Sequence, residues 1–452
     1  MVRKSALSVA LMAAVVSGSA VAGGRADLVL AALAEGKADY VQGEVLVQFS
    51  ANASAGMRAA VARGLNGRVA EVVREGGNGK SALQVMQLPP GLAVADAVRS
   101  LDGVSGVDFV EPNWVYYTQV GTNDPQYTSG ALWGQYGAST TPANQYGSGA
   151  GAARGNNCSG VYVGIIDEGY MYSHEDLAAN AATVPGEIAG NGVDDNGNGL
   201  VDDVYGWDFD GNNNSVFDGV GDDHGTHVAG TIGGVGNNGK GVAGVCHSVK
   251  LLSAKFLGSR GGTTANAIKA VDYFTDLKTR HNLNLVATNN SWGGGGFSQA
   301  LADAIERANQ AGILFIAAAG NSGANNDATA AYPSGYTSAN VIAVAAITNT
   351  GALATYSQYG ATTVDICAPG SGVVSTVPVQ ARKNALITSG YASYNGTSMA
   401  TPHVTGAAAL YKALNPTATA AQIKSAILGS VTPTASCNGK VSTNGRLNVS
   451  GF

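Results

Sequence analysis

Residues 161–167 read Val161-Tyr162-Val163-Gly164-Ile165-Ile166-Asp167, an unbroken apolar run that ends on a carboxylate. A strand that is apolar at every position has no solvent side, so both of its faces must be covered. Further largely apolar runs continue the series at 249–256, 285–287, 313–319, 341–347 and 364–366. Helical periodicity lies between these runs, at 224–232, 263–277 and 299–311. Buried strands alternating with helices predict an α/β fold, a parallel sheet with helices on both faces. In such a sheet the functional crevice opens beyond the carboxyl ends of the strands. Asp167 stands at that edge.

Working outward, the chain of 452 residues is long enough for more than one domain. Hydrophobic residues make up 45% and charged residues 12%, so core material is ample and surface charge is sparse. The net charge is −6 with no basic stripe, which argues against a nucleic-acid partner. Segments at 44–49, 55–65, 68–73, 83–88, 93–101 and 107–110 alternate as βαββαβ. That order predicts a small α+β (ferredoxin-like) domain over 23–120. A stretch rich in Gly, Asn, Gln and Tyr leads from it into the second domain, 121–452.

The start of the chain reads as an address. Arg3 and Lys4 precede an apolar run at 6–16 and then Ala20-Val21-Ala22, the order of a secretory signal peptide spanning 1–22. No later run reaches the ~18 apolar residues of a membrane span, so export without a membrane anchor is expected. Export favours disulfides among the four cysteines, which allow three pairings. Cys158 and Cys246 directly precede the strands at 161–166 and 249–256. If those strands are neighbours, Cys158–Cys246 and Cys367–Cys437 follow.

Three further stretches carry chemistry: Asp222-Asp223-His224-Gly225-Thr226-His227-Val228-Ala229-Gly230, Gly320-Asn321-Ser322-Gly323 and Gly396-Thr397-Ser398-Met399-Ala400-Thr401-Pro402-His403-Val404. Gly396 reads as a close-approach turn, and Pro402 as a first-turn residue of a helix over 401–414. Taken singly, Asp167, His224, Asn321 and Ser398 have ordinary readings as caps and turn residues. Together they meet a chemical requirement. A serine hydroxyl needs a base, the base needs an acid to fix its tautomer, and an acyl-transfer oxyanion needs an aimed donor.

These motifs, in the order Asp, His, Ser, resemble the subtilisin-like serine proteases. The resemblance implies a secreted endopeptidase in which Ser398 is the nucleophile, His224 the general base and then acid, Asp167 its orienting partner, and Asn321 an oxyanion donor. It implies pocket walls from Ser291, Trp292 and Gly293 and from Ala318 and Gly320, with Ala331 near the floor. We read that pocket as roomy, apolar and selective for large uncharged side chains. The upstream domain is similar to the family's inhibitory propeptide, which would be cut near 117–123. Protein and peptide substrates and a monomer are the implied partners and state. Glu168, where Ser or Thr is usual after the acid, and Trp292, where Leu is common, depart from the family pattern. Two rival readings are a peptide ligase on the same fold and a non-catalytic binding module.

A second stretch suits a hard cation. Asp194-Asp195-Asn196-Gly197-Asn198-Gly199-Leu200-Val201-Asp202-Asp203 places oxygen ligands at alternate positions, which predicts structural Ca²⁺ at Asp194, Asn196, Asn198, Asp202 and Asp203. By resemblance, Asp176 and Asn238 mark a second calcium site. A zinc site from His224 and His227 lacks a third ligand.

Overall fold

The computed structural model describes residues 25–35, 40–76, 80–114, 122–153 and 157–452, in two units, 1–118 and 119–452. The signal-peptide assignment and most of the expected cleavage stretch lie outside the described residues.

In the first unit the elements are α1 (Ala26–Glu35), β1 (Tyr40–Phe49), α2 (Ala55–Gly64), β2 (Arg68–Arg74), β3 (Leu83–Gln87), α3 (Val94–Leu101) and β4 (Val107–Trp114). The antiparallel sheet has the order β2-β3-β1-β4, the ferredoxin-like arrangement. Val45, Val47, Phe49, Met86 and Val110 meet Ala97, Val98 and Leu101 of α3 in its core. Helix α1 is an element the sequence reading lacked. Ala26, Val29, Leu30 and Leu33 join the same core, at the spacing of one helical face.

The second unit begins with α4 (Pro125–Thr128), β5 (Tyr162–Asp167), β6 (Gly206–Asp208), α5 (Asp223–Gly233), β7 (Lys250–Lys255) and α6 (Thr264–His281). It continues through β8 (Leu285–Asn290), α7 (Gln299–Gln310), β9 (Leu314–Ala318), β10 (Val341–Ile347) and β11 (Ile366–Pro369). The last elements are β12 (Val373–Gln380), β13 (Ile387–Tyr394), α8 (Thr397–Leu414), α9 (Ala420–Gly429), β14 (Thr432–Pro433) and β15 (Gly445–Arg446).

The large sheet runs β14-β15-β11-β10-β9-β8-β5-β7-β6. Its pairings are parallel except β14 with β15. Val228 and Ile232 of α5 and Val404 and Ala408 of α8 cover one face. Phe274 and Leu277 of α6 and Leu301 and Ile305 of α7 cover the other. Tyr162 of β5 lies opposite Lys250 of β7, and the disulfides are Cys158–Cys246 and Cys367–Cys437, as the neighbouring strands require.

Two expectations change. Helix α8 begins at Thr397, four residues earlier than read, so Pro402 sits in its second turn. The β12–β13 hairpin went unread because its buried face is partly polar. Ser375 Oγ donates to the His227 carbonyl at 2.7 Å and Thr376 Oγ1 to the Thr226 carbonyl at 2.8 Å, so hydroxyls sit where an apolar stripe would announce a strand.

Candidate active site

Asp167 ends β5 and is fully buried. Its Oδ1 lies 2.9 Å from His224 Nδ1 and accepts the Glu168 N–H at 2.8 Å. The carboxylate can only accept, so Nδ1 carries the proton and Nε2 is left as the basic nitrogen. His224 is the second residue of α5. A Cβ on Gly225 would stand 2.0 Å from the Gly169 carbonyl oxygen. The glycine after the histidine therefore lets α5 lie directly on the turn that follows the acid. Burial disfavours the imidazolium, but Asp167, Glu168 and Asp223 together outweigh it and push His224 up to about 9. Burial, with the Asp167 charge added, pushes Glu168 up to about 7.

Ser398 is the second residue of α8, so its N–H falls in the first turn, where no intrahelical acceptor exists. Its Oγ donates to the Ser291 carbonyl at 3.1 Å, and Ser291 Oγ donates to the Ser398 carbonyl at 2.8 Å. Asn321 Oδ1 accepts both the Thr397 N–H at 2.8 Å and Thr397 Oγ1 at 2.9 Å. That orientation turns its Nδ2 away from Thr397 and leaves it available to a ligand. Gly396 is not the tight turn read from the sequence. Its backbone is extended, and a Cβ there would make only ordinary contacts of 3.5–3.7 Å.

A cavity of about 460 Å³ brings together Ser291, Trp292, Gly293, Ala318, Gly320, Asn321, Ala331, Thr397 and Ser398. No acidic or basic side chain lines it. The Trp292 ring packs on Phe256 and Phe315, with centroids 4.8 and 6.3 Å away. Gln358 and Ser334 add polar lining that the sequence reading did not anticipate. Gly320 has φ +111°, and a Cβ there would stand 1.9 Å from Gln358 Oε1.

The profile of the subtilase family, peptidase S8, matches residues 158–450. The chain belongs to the subtilase family. The profile of the fervidolysin N-terminal prodomain matches residues 29–113 of this subtilase. It is 38% identical to alkaline elastase YaB of Bacillus sp. (strain YaB) over 62% of this chain and 61% of that protein. It is 38% identical to subtilisin Savinase of Lederbergia lenta over 63% of this chain and 88% of that one. A solved protease structure from Pseudoalteromonas arctica PAMC 21717 superposes with a TM-score of 0.58 at 29% identity, covering 74% of this chain and 98% of that one. The chain thus spans about three fifths of the elastase's own length.

In the subtilase, His227 and His403 are buried, and burial holds them well below the usual range, at about 3 and about 4. His227 Nε2 faces the carbonyls of Val373 and Ala392 at 2.9 and 3.2 Å. Among the described residues no three His, Cys, Asp or Glu side chains gather as a metal cluster.

The acidic loop departs from the alternate-ligand pattern. Asp194 accepts the N–H groups of Gly197, Asn198 and Gly199. Asp202 accepts those of Gly190, Asn191 and Gly192. Asp203 is fully buried and takes the Asn196 and Asn198 amides and the Tyr273 hydroxyl. Glu187, which the sequence reading missed, accepts the Asn196 N–H through Oε1, while its buried Oε2 has no partner. Asn196 and Asn198 turn their amide nitrogens to Asp203 while their Oδ1 atoms accept the Asn198 and Leu200 N–H groups, and the two carboxylates, with the orphaned Glu187 oxygen, are donors that suit a hard cation. At the second place, Asp176 already accepts the Asn238 amide and the Val242 N–H, and Asn238 Oδ1 accepts the Lys240 N–H.

Proposed function

We propose that this subtilase is a secreted serine endopeptidase working through Asp167, His224 and Ser398. The observation that carries the reading is the 2.9 Å contact between Asp167 and His224 at the edge where Ser398 opens α8. In the first half-reaction the Ser398 hydroxyl leaves the Ser291 carbonyl and gives its proton to His224 Nε2 as Oγ attacks the peptide carbonyl. Asn321 Nδ2 and the Ser398 N–H stabilise the oxyanion. His224 then protonates the leaving amine, giving the acyl-enzyme. Water, deprotonated by His224, releases the acid and restores Ser398.

The uncharged cavity supports preference for large uncharged side chains before the scissile bond. One of its relatives is named an elastase, and apolar selectivity is the reading we carry to this chain. A peptide-library profile led by Lys or Arg at that position would defeat it. The unit matched by the prodomain profile is proposed as inhibitor and folding aid, cut near 117–123. Covalent labelling by a fluorophosphonate, abolished in Ser398→Ala, tests the nucleophile. Intact mass of Ser398→Ala tests self-cleavage: the prosegment is expected to stay attached. Calcium is proposed at the 187–203 loop, where Glu187, Asn196, Asn198 and Asp203 would hold it and where it would tie the loop to α6.

A further inference from the structure

A lysine stands where the apolar strand β7 reaches the carboxyl edge of the sheet. Lys255 is 4% exposed, yet its ammonium reaches two elements at once. It donates to the Glu168 carbonyl at 2.5 Å and to Asp222 Oδ1 at 2.6 Å, with Asp218 Oδ2 at 3.3 Å. Glu168 directly follows the triad acid, and Asp222 is the N-cap of α5, two residues before His224. The Glu168 side chain closes the circuit, because its Oε1 accepts the His224 backbone N–H at 2.6 Å. Taking an ammonium out of water is expensive and is offset only by closely held acceptors. Leucine or methionine would fill the same space without that cost, so packing alone does not account for a lysine here.

We propose that Lys255 and Glu168 are positioning residues for the catalytic histidine. Lys255 ties the turn after Asp167 to the cap of α5, and Glu168 holds the His224 backbone, so that the imidazole stays seated against Asp167. The inference rests on the triad reading above.

The titratable groups around His224 come from four elements. Asp167 ends β5 and Glu168 follows it. Asp223 lies on α5 beside His224 and accepts the Tyr394 hydroxyl from β13. His227 lies one turn further along α5 and is stacked on Tyr394. Lys255 comes from β7, held by Asp222 and Asp218. Glu168→Gln keeps an oxygen acceptor for the His224 N–H and removes one negative charge, whereas Glu168→Ala removes both.

The test measures peptide hydrolysis per fluorophosphonate-labelled site, which counts only folded, competent protein. Lys255→Met is expected to lower kcat about tenfold or more, as misplacement of reacting groups does, with KM within a factor of two. Asp222→Asn is expected to lower kcat in the same way and decides the matter if Lys255→Met does not fold. Glu168→Gln is expected to retain most of kcat and to move the acid limb of the kcat/KM profile to lower pH. Glu168→Ala is expected to show the same pH shift with a loss in kcat. Wild-type kcat in labelled Lys255→Met, or in Asp222→Asn where Lys255→Met does not fold, would overturn the proposal, as would an unmoved acid limb in Glu168→Gln. A wild-type protein that takes no label would instead sink the triad reading, and this inference with it.

Discussion

Ser291 and Ser398 hold each other by reciprocal hydrogen bonds, Ser291 Oγ to the Ser398 carbonyl at 2.8 Å and Ser398 Oγ to the Ser291 carbonyl at 3.1 Å. Pro402 makes this exchange available. It stands four residues after Ser398 inside α8 and has no N–H to give the Ser398 carbonyl. The vacant acceptor is filled from the end of β8, which ties the helix of the proposed nucleophile to the wall of the cleft. Ser291→Ala leaves that carbonyl unpaired and is expected to cost about 1–3 kcal/mol of stability. In Ser291→Ala/Pro402→Ala the restored N–H should recover part of that loss. Thermal melts of the four-member cycle measure the coupling, and strictly additive losses would contradict it.

The pH profile follows from the three carboxylates around His224. On the proposed mechanism the general base must be neutral, and His224 is pushed up to about 9 after the opposing effect of burial. Below that value a growing fraction is imidazolium, so kcat/KM should rise through the neutral range, reach about half its plateau near pH 9 and level off above it. The stability sign is the reverse. A histidine whose folded value exceeds its unfolded value of about 6.5 contributes its full stabilisation below about 6.5 and loses it as pH rises toward 9. Activity is therefore expected to grow while the melting temperature declines over the same window. An acid limb at or below 6.5 in hydrolysis of an uncharged peptide would refute this.

Asn321 is aimed by its neighbour. Thr397 presents both its N–H and its hydroxyl to Asn321 Oδ1, and Thr397 Oγ1 also accepts the Gly320 N–H at 3.2 Å. Asn321→Leu should lower kcat by about 10²–10³ with little change in KM, a magnitude carried over from a subtilisin relative. Thr397→Val should lower kcat less, and adding it to Asn321→Leu should cost almost nothing more, because there is no amide left to aim. Full additivity in kcat would show that Thr397 acts elsewhere.

The parallel sheet, and the motifs behind the proposed triad, were legible because their signals are local. Apolar strands ending on Asp167 and Ala318, and a glycine after His224, each report a nearby constraint. Other features depend on partners distant in sequence. Lys255 broke an apolar run at a strand end, which was a signal, but only the fold brings Glu168, Asp222 and Asp218 to it. Thr397 lay inside a quoted motif, yet its role exists only once the turn after β9 arrives beside it. The buried face of β12 was hidden because its hydroxyls bind α5 carbonyls. The metal loop is a further case. Alternate spacing suggested convergent ligands, while short loops let Asp194 and Asp202 satisfy nearby backbone amides instead.

That loop supplies the last prediction. Glu187 Oε2 is buried without a partner, and Asp203 is buried across the loop, tied through Tyr273 to α6. A cation held there would satisfy the orphaned oxygen and cross-link the loop to the helix, which favours the folded state alone. At about 100 times its Kd such a ligand adds about 2.7 kcal/mol. EDTA should therefore lower the melting temperature, and added calcium should restore it. Glu187, Asn196, Asn198 and Asp203 make no hydrogen bond to Asp167, His224 or Ser398, so peptide hydrolysis well below the melting range should survive chelation. Glu187→Gln should weaken the calcium response while leaving the melting temperature in EDTA equal to or above that of the wild type, because it keeps an acceptor for the Asn196 N–H and removes the unpartnered carboxylate oxygen. A melting temperature indifferent to EDTA would dismiss the site.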